Sequence, residues 1–148
     1  MKRAQAAMEF LMTYGWAILV VLVAIGALAY FGVLSPEKIL PEKCVISPGS
    51  GLFCDKFNVV AGNPGTITLR IKNSLSDDVT IKATSSTIGS CAVQSDVAVS
   101  ADGTADVSFT GTGCTLSSGD KLKEDLKITY DIGGFQKTAT GTFVARVP

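Results

Sequence analysis

No charged residue occurs between Glu9 and Glu37, and that gap limits what the N-terminal part of the chain can become. The run from Phe10 to Val33 reads FLMTYGWAILVVLVAIGALAYFGV, and only Thr13, Gly15, Gly26 and Gly32 fall outside the apolar set. As a helix, a run of this length extends ~36 Å, enough to cross a ~30 Å hydrocarbon core. It is apolar on every side, so it requires lipid or a fully buried setting. It exceeds the ~7–15 apolar residues of an ordinary secretory signal. Lys2 and Arg3 precede it, which keeps the N-terminus on the cytoplasmic side and sends the rest outward. In the flank LSPEKILPEK, Glu37 and Glu42 balance Lys38 and Lys43 and do not oppose that orientation.

Composition then removes whole classes of function. The 148 residues carry 13 Lys+Arg against 13 Asp+Glu, so no nucleic-acid-binding excess of positive charge exists. The chain has no His. That takes away the commonest general base, the usual partner of a Ser or Cys nucleophile and the commonest metal ligand. An enzyme is not expected, and neither a cofactor nor a metal is implied.

The cysteines agree with export. Cys44, Cys54, Cys91 and Cys114 all follow the apolar run. No pair has C-x-x-C spacing, which makes zinc a poor fit. An even number in an exported domain reads as disulfides. Four cysteines allow three pairings; Cys44–Cys54 and Cys91–Cys114 are expected because both close local loops.

From Phe57 onward the period becomes alternating. Ile67, Leu69 and Ile71 alternate with Thr68, Arg70 and Lys72, and Val79 and Ile81 flank Thr80. Val97 and Val99, Val107 and Phe109, and Leu126, Ile128 and Tyr130 repeat the pattern. Phe143, Ala145 and Val147 share one face of a less regular run. Such runs are half-buried antiparallel strands. Turn residues separate them, most clearly Gly133-Gly134, a two-residue hairpin signal. About seven short strands over residues 56–148 predict an antiparallel β-sandwich of immunoglobulin-like size. The fold class is therefore α+β: a long hydrophobic helix over residues 5–35, a linker over 36–55 holding the first disulfide, and an exported head. Within the linker, Pro36 and Pro41 mark a hinge, and Ser35-Pro36-Glu37 would cap a fresh helical turn.

The first ten residues, MKRAQAAMEF, add a specific signal. A basic leader of residues 1–4 precedes Gln5, two alanines, Met8 and the acidic Glu9, and only then does the apolar run begin. The segment QAAMEFLMTYGWAILVVLVAIGALAYFGVLSPE resembles archaeal type IV pilins, with a class III signal. The resemblance is carried by residues 2–37; it implies cleavage between Ala4 and Gln5 by a prepilin peptidase on the cytoplasmic side. The apolar segment would then be retained. Loss of Lys2 and Arg3 leaves 11 basic against 13 acidic residues, a formal charge of −2. The resemblance also implies that Glu9, fifth from the cut, pairs with the freed amine of a neighbouring subunit, although a cyclised Gln5 would offer no charged amine. Glu9 and Phe10, which opens the apolar run, are the expected assembly residues. The implied partners are the membrane before assembly, the peptidase and further copies of the chain, with adhesion as the task of the surface filament. An uncut, single-pass surface protein whose β domain binds a ligand is the alternative.

Other residues carry less. Gly15, Gly26 and Gly32 read as ordinary membrane-helix glycines or as sites of close helix approach. Tyr14 and Trp16 suit an interface or helix packing. The acids Asp77, Asp78, Asp102, Asp106, Asp120, Glu124, Asp125 and Asp131 show no calcium-loop pattern and read as solvated turn residues. None of Asn58, Asn63 and Asn73 begins a glycosylation sequon.

Overall fold

The computed structural model describes residues 2–32 and 41–148. The chain divides into two compact units, Met1–Leu40 and Pro41–Pro148. Its described residues in the first unit form one helix, α1, Lys2–Tyr30. Its last turn closes with Phe31 N–H donating to Ala27 C=O (3.0 Å) and Gly32 N–H donating to Ala29 C=O (3.1 Å). Gly32 is left-handed, at φ 73°, a conformation that ends a helix and suits glycine. The helix therefore begins within the leader and stops before the expected limit of Ser35. The expected hinge and the Ser35-Pro36-Glu37 turn fall largely outside the described residues.

The second unit holds ten antiparallel strands. In chain order they are β1 Lys43–Ile46, β2 Leu52–Val60, β3 Thr66–Asn73, β4 Val79–Ile81, β5 Thr87–Ile88, β6 Cys91–Val93, β7 Val97–Val99, β8 Thr104–Thr110, β9 Lys121–Ile132 and β10 Phe135–Arg146. The hydrogen-bonded order is β1-β10-β9-β5-β6-β8-β3-β2, with β4 bridging β9 and β7. The two ends of this path meet: the disulfide Cys44–Cys54 joins β1 to β2, with Cα atoms 5.9 Å apart. The sheet thus rolls over one core. Phe57 of β2 and Phe143 of β10 touch edge to face across it, with ring centroids 5.2 Å apart.

Each alternating run of the sequence supplies this core with one face. Ile67, Leu69 and Ile71 are buried while Arg70 and Lys72 are exposed. Phe109, Leu126, Ile128 and Phe143 complete the centre. The second disulfide, Cys91–Cys114, is buried among them and ties β6 to the loop after β8. Both disulfides pair as expected. In a domain of this size each contributes ~2–4 kcal/mol.

The β unit starts earlier than Lys56. β1 and the first half of β2 lie inside the stretch expected to be linker. A β-bulge between Cys54 and Lys56 shifts the register of β2 and breaks its alternation, so the sequence pattern emerges only from Phe57. β5 and β6 have two and three residues, too few for alternation to register. These additions raise the count from about seven strands to ten. β1 also depends on a glycine: a Cβ on Gly141 would collide with the carbonyl oxygen of Val45, the residue before its ladder partner Ile46.

Candidate functional site

The functional residues expected from sequence lie on α1, and the helix explains their grouping. Ala4, Gln5, Glu9 and Phe10 all fall within Lys2–Tyr30. Gln5, Glu9 and Thr13 recur at four-residue spacing, so they share one face in successive turns. The Thr13 hydroxyl donates to the Glu9 carbonyl (2.8 Å), which satisfies it within the helix's own backbone. The Glu9 carboxylate is exposed and remains the acidic group bordering the apolar run. Phe10 and Tyr14, also four apart, lie with ring centroids 4.8 Å from each other. The polar face ends at Thr13, and beyond it the helix is apolar all round.

No residue of α1 is buried. Trp16, Leu19, Leu22 and Val23 are each more than 60% exposed. The helix is long and apolar enough to cross a membrane. Burying one such side chain is worth ~1.5–3 kcal/mol, so the row as a whole strongly favours lipid or another apolar surface. The glycines Gly15 and Gly26 have no other group near the position a Cβ would take, which leaves their surfaces open.

The β unit carries ordinary surface electrostatics. Arg70 and Asp106 form a bidentate pair at 2.8 and 3.0 Å across β3 and β8. The Arg70 hydrogen bonds lower the Asp106 pKa below the usual carboxylate value. The Ala83 N–H, assisted by Lys82, does the same for Asp96. Lys82 reaches both Asp96 (3.0 Å) and Asp131 (3.1 Å), and its own pKa is raised by the two hydrogen bonds. Asp78 accepts from the Ala101 N–H (2.8 Å), a turn role. Among the described residues no group of three His, Cys, Asp or Glu side chains converges as a metal site.

Sequence reasoning did not single out Phe135 or Lys137. The diglycine marks the turn beside them, but an exposed aromatic after a turn has no pattern of its own. In comparisons with known proteins, no family model matches the chain and no curated protein matches it.

Proposed function

We propose that this chain is the precursor of a structural subunit of an archaeal type IV pilus-like surface filament. It is cut between Ala4 and Gln5 and polymerises through its N-terminal helix, and the β domains form the outer surface and serve adhesion. The observation that carries this reading is a helix that is apolar on all sides beyond Thr13 and has no buried residue. Such a helix is stable in a bilayer as a monomer, since all its backbone bonds are internal. It is equally satisfied when identical helices replace the lipid. Repetition of a contact that does not close on itself then builds a fibre. The N-terminal sequence adds the processing step: basic leader, Ala4, Gln5 and the acidic Glu9 ahead of the apolar run.

The deciding experiment is the N-terminus of the protein taken from its native cell surface, read by intact mass and sequencing. A start at Gln5, cyclised or open, with the apolar segment retained supports the reading. A start at Met1 or Lys2 gives instead an anchored single-pass protein. A start near Ser35 gives a secreted domain, and either result removes the filament.

Glu9 has a test of its own. A carboxylate at the edge of an apolar helix is costly without a partner. Glu9→Ala is expected to be processed normally and to reach the membrane, while filament yield, counted by electron microscopy, falls at least tenfold. Normal filaments from processed Glu9→Ala subunits would deny the residue any assembly role.

A further inference from the structure

β10 is paired on both sides for only part of its length. β1 follows it from Lys43 opposite Val144 to Ile46 opposite Gly141. The last bond is Ser47 N–H donating to Thr140 C=O (2.8 Å). The chain then leaves through the 3-10 turn Pro48–Ser50 and the left-handed Gly51. Beyond that point β10 runs on to Phe135 with β9 on one side, and among the described residues no strand pairs with its other edge. The result is an open cleft of about 400 Å³, lined among others by Ser47, Ser50, Tyr130, Lys137 and Thr138.

The wall of this cleft is held in place. The Ser50 hydroxyl donates to Ser47 C=O (2.7 Å), and Tyr130 OH donates to Ser50 C=O (3.2 Å). Thr140 C=O faces the β1 side, so the two-residue period of an antiparallel ladder turns the N–H and C=O of Thr138 the same way. Lys137 is exposed and makes no ion pair among the described residues. Phe135 lies two residues further along the same face of the strand, about 7 Å away. It is 74% exposed. Ile132, packed against the core, sits opposite it in register. Gly133 and Gly134, at φ 57° and 85°, make the tight turn that fixes this tip.

We propose that this cleft binds a carboxylate-bearing saccharide, with the sugar's apolar C–H face stacked on Phe135 and its carboxylate paired with Lys137. A pyranose ring needs a flat apolar platform on one face and hydrogen-bonding groups at its rim. The platform is Phe135, exposed at the tip beyond the cleft lining, and the rim is Ser47 and the Thr138 backbone within it. A neutral sugar would leave Lys137 without a counter-ion, whereas a charge-assisted contact is roughly twice as strong as a neutral one. A peptide adding a strand to this edge is disfavoured, because β1 occupies the adjoining half and would stop it at Thr140. The site belongs to the β unit alone and does not depend on processing or polymerisation.

The test is calorimetric titration of the full-length protein in detergent micelles with trigalacturonate, a neutral galactotriose and an acidic hexapeptide. Trigalacturonate is expected to bind at least tenfold more tightly than the other two. Phe135→Ala and Lys137→Gln should each weaken it about tenfold or more. Lys56→Gln, on a different face of the sheet, should leave it unchanged. Both substituted cleft side chains are exposed, and retention of the two disulfides by peptide mapping checks the fold. Absence of trigalacturonate binding overturns the proposal. So does equal binding of the neutral sugar, tighter binding of the peptide, or an equal loss in Lys56→Gln, the mark of charge attraction without a site.

Discussion

Asn73 is the residue on which the far end of the β unit is organised. It is fully buried at the end of β3. Its Nδ2 donates to the carbonyls of Asp77 (2.8 Å), Val99 (3.3 Å) and Ser100 (3.3 Å), and its Oδ1 accepts from Leu75 N–H (2.9 Å). One side chain thereby fixes the loop after β3 and the end of β7. Asn73→Ala would take the side-chain partner from Asp77 C=O and Leu75 N–H, at a cost of about 2–3 kcal/mol. For a domain of this size that is a fall of roughly 10 °C in the melting temperature. A fall of less than 2 °C in a thermal melt would show that water or a shifted loop replaces the side chain. The sequence read Asn73 only as a residue outside any sequon. Its role rests on carbonyls up to 27 residues away, which no local pattern carries.

At the scale of elements, the clasp between β1 and β2 holds the rolled sheet together. β1 has four residues and one ladder, to β10. Cys44–Cys54 supplies its covalent tie to β2. Replacing both cysteines by serine is expected to cost ~2–4 kcal/mol in a denaturant titration. Amide exchange should accelerate first in β1, while β3, paired on both sides, stays protected. Uniform acceleration would mean that the clasp stabilises the whole unit and not its seam. The longer elements were legible because their periods persist: α1 carries no charge after Glu9, and β3 and β8 alternate cleanly. β10 shows where alternation fails. Val144 is 1% exposed although Phe143 and Ala145 face the core on the opposite side of the strand.

For the whole β unit, acid is the condition that separates its surface pairs from its core. Asp96 and Asp106 have pKa values lowered below the ordinary 3.8 by hydrogen bonds from Ala83 N–H and Arg70 respectively. A carboxylate with a depressed folded-state pKa stabilises the fold above its unfolded value and loses that contribution as pH falls through the folded one. The melting temperature should therefore be flat from pH 7 to 5 and drop only below about 3.8, by a small amount because both pairs face solvent. Asp106→Asn should flatten part of that drop. A decline beginning near neutral pH would place the acid-sensitive groups elsewhere.

The sequence by itself determined the helix, the antiparallel β character of the second unit and the disulfide partners. Each of these follows from short-range facts: an uncharged run long enough for a bilayer, a period of two, and loops short enough to close. The tertiary structure decided the rest. That β1 and β2 close the sheet, that a bulge hides half of β2, and that the domain begins near Pro41 all depend on pairings between distant residues. The cleft beside Phe135 exists because β1 stops at Ile46 while β10 runs on. Periodicity reports which way one side chain points along its own strand. Where neighbouring strands end, and what they leave open between them, is set by register across the sheet, and register has no local signature.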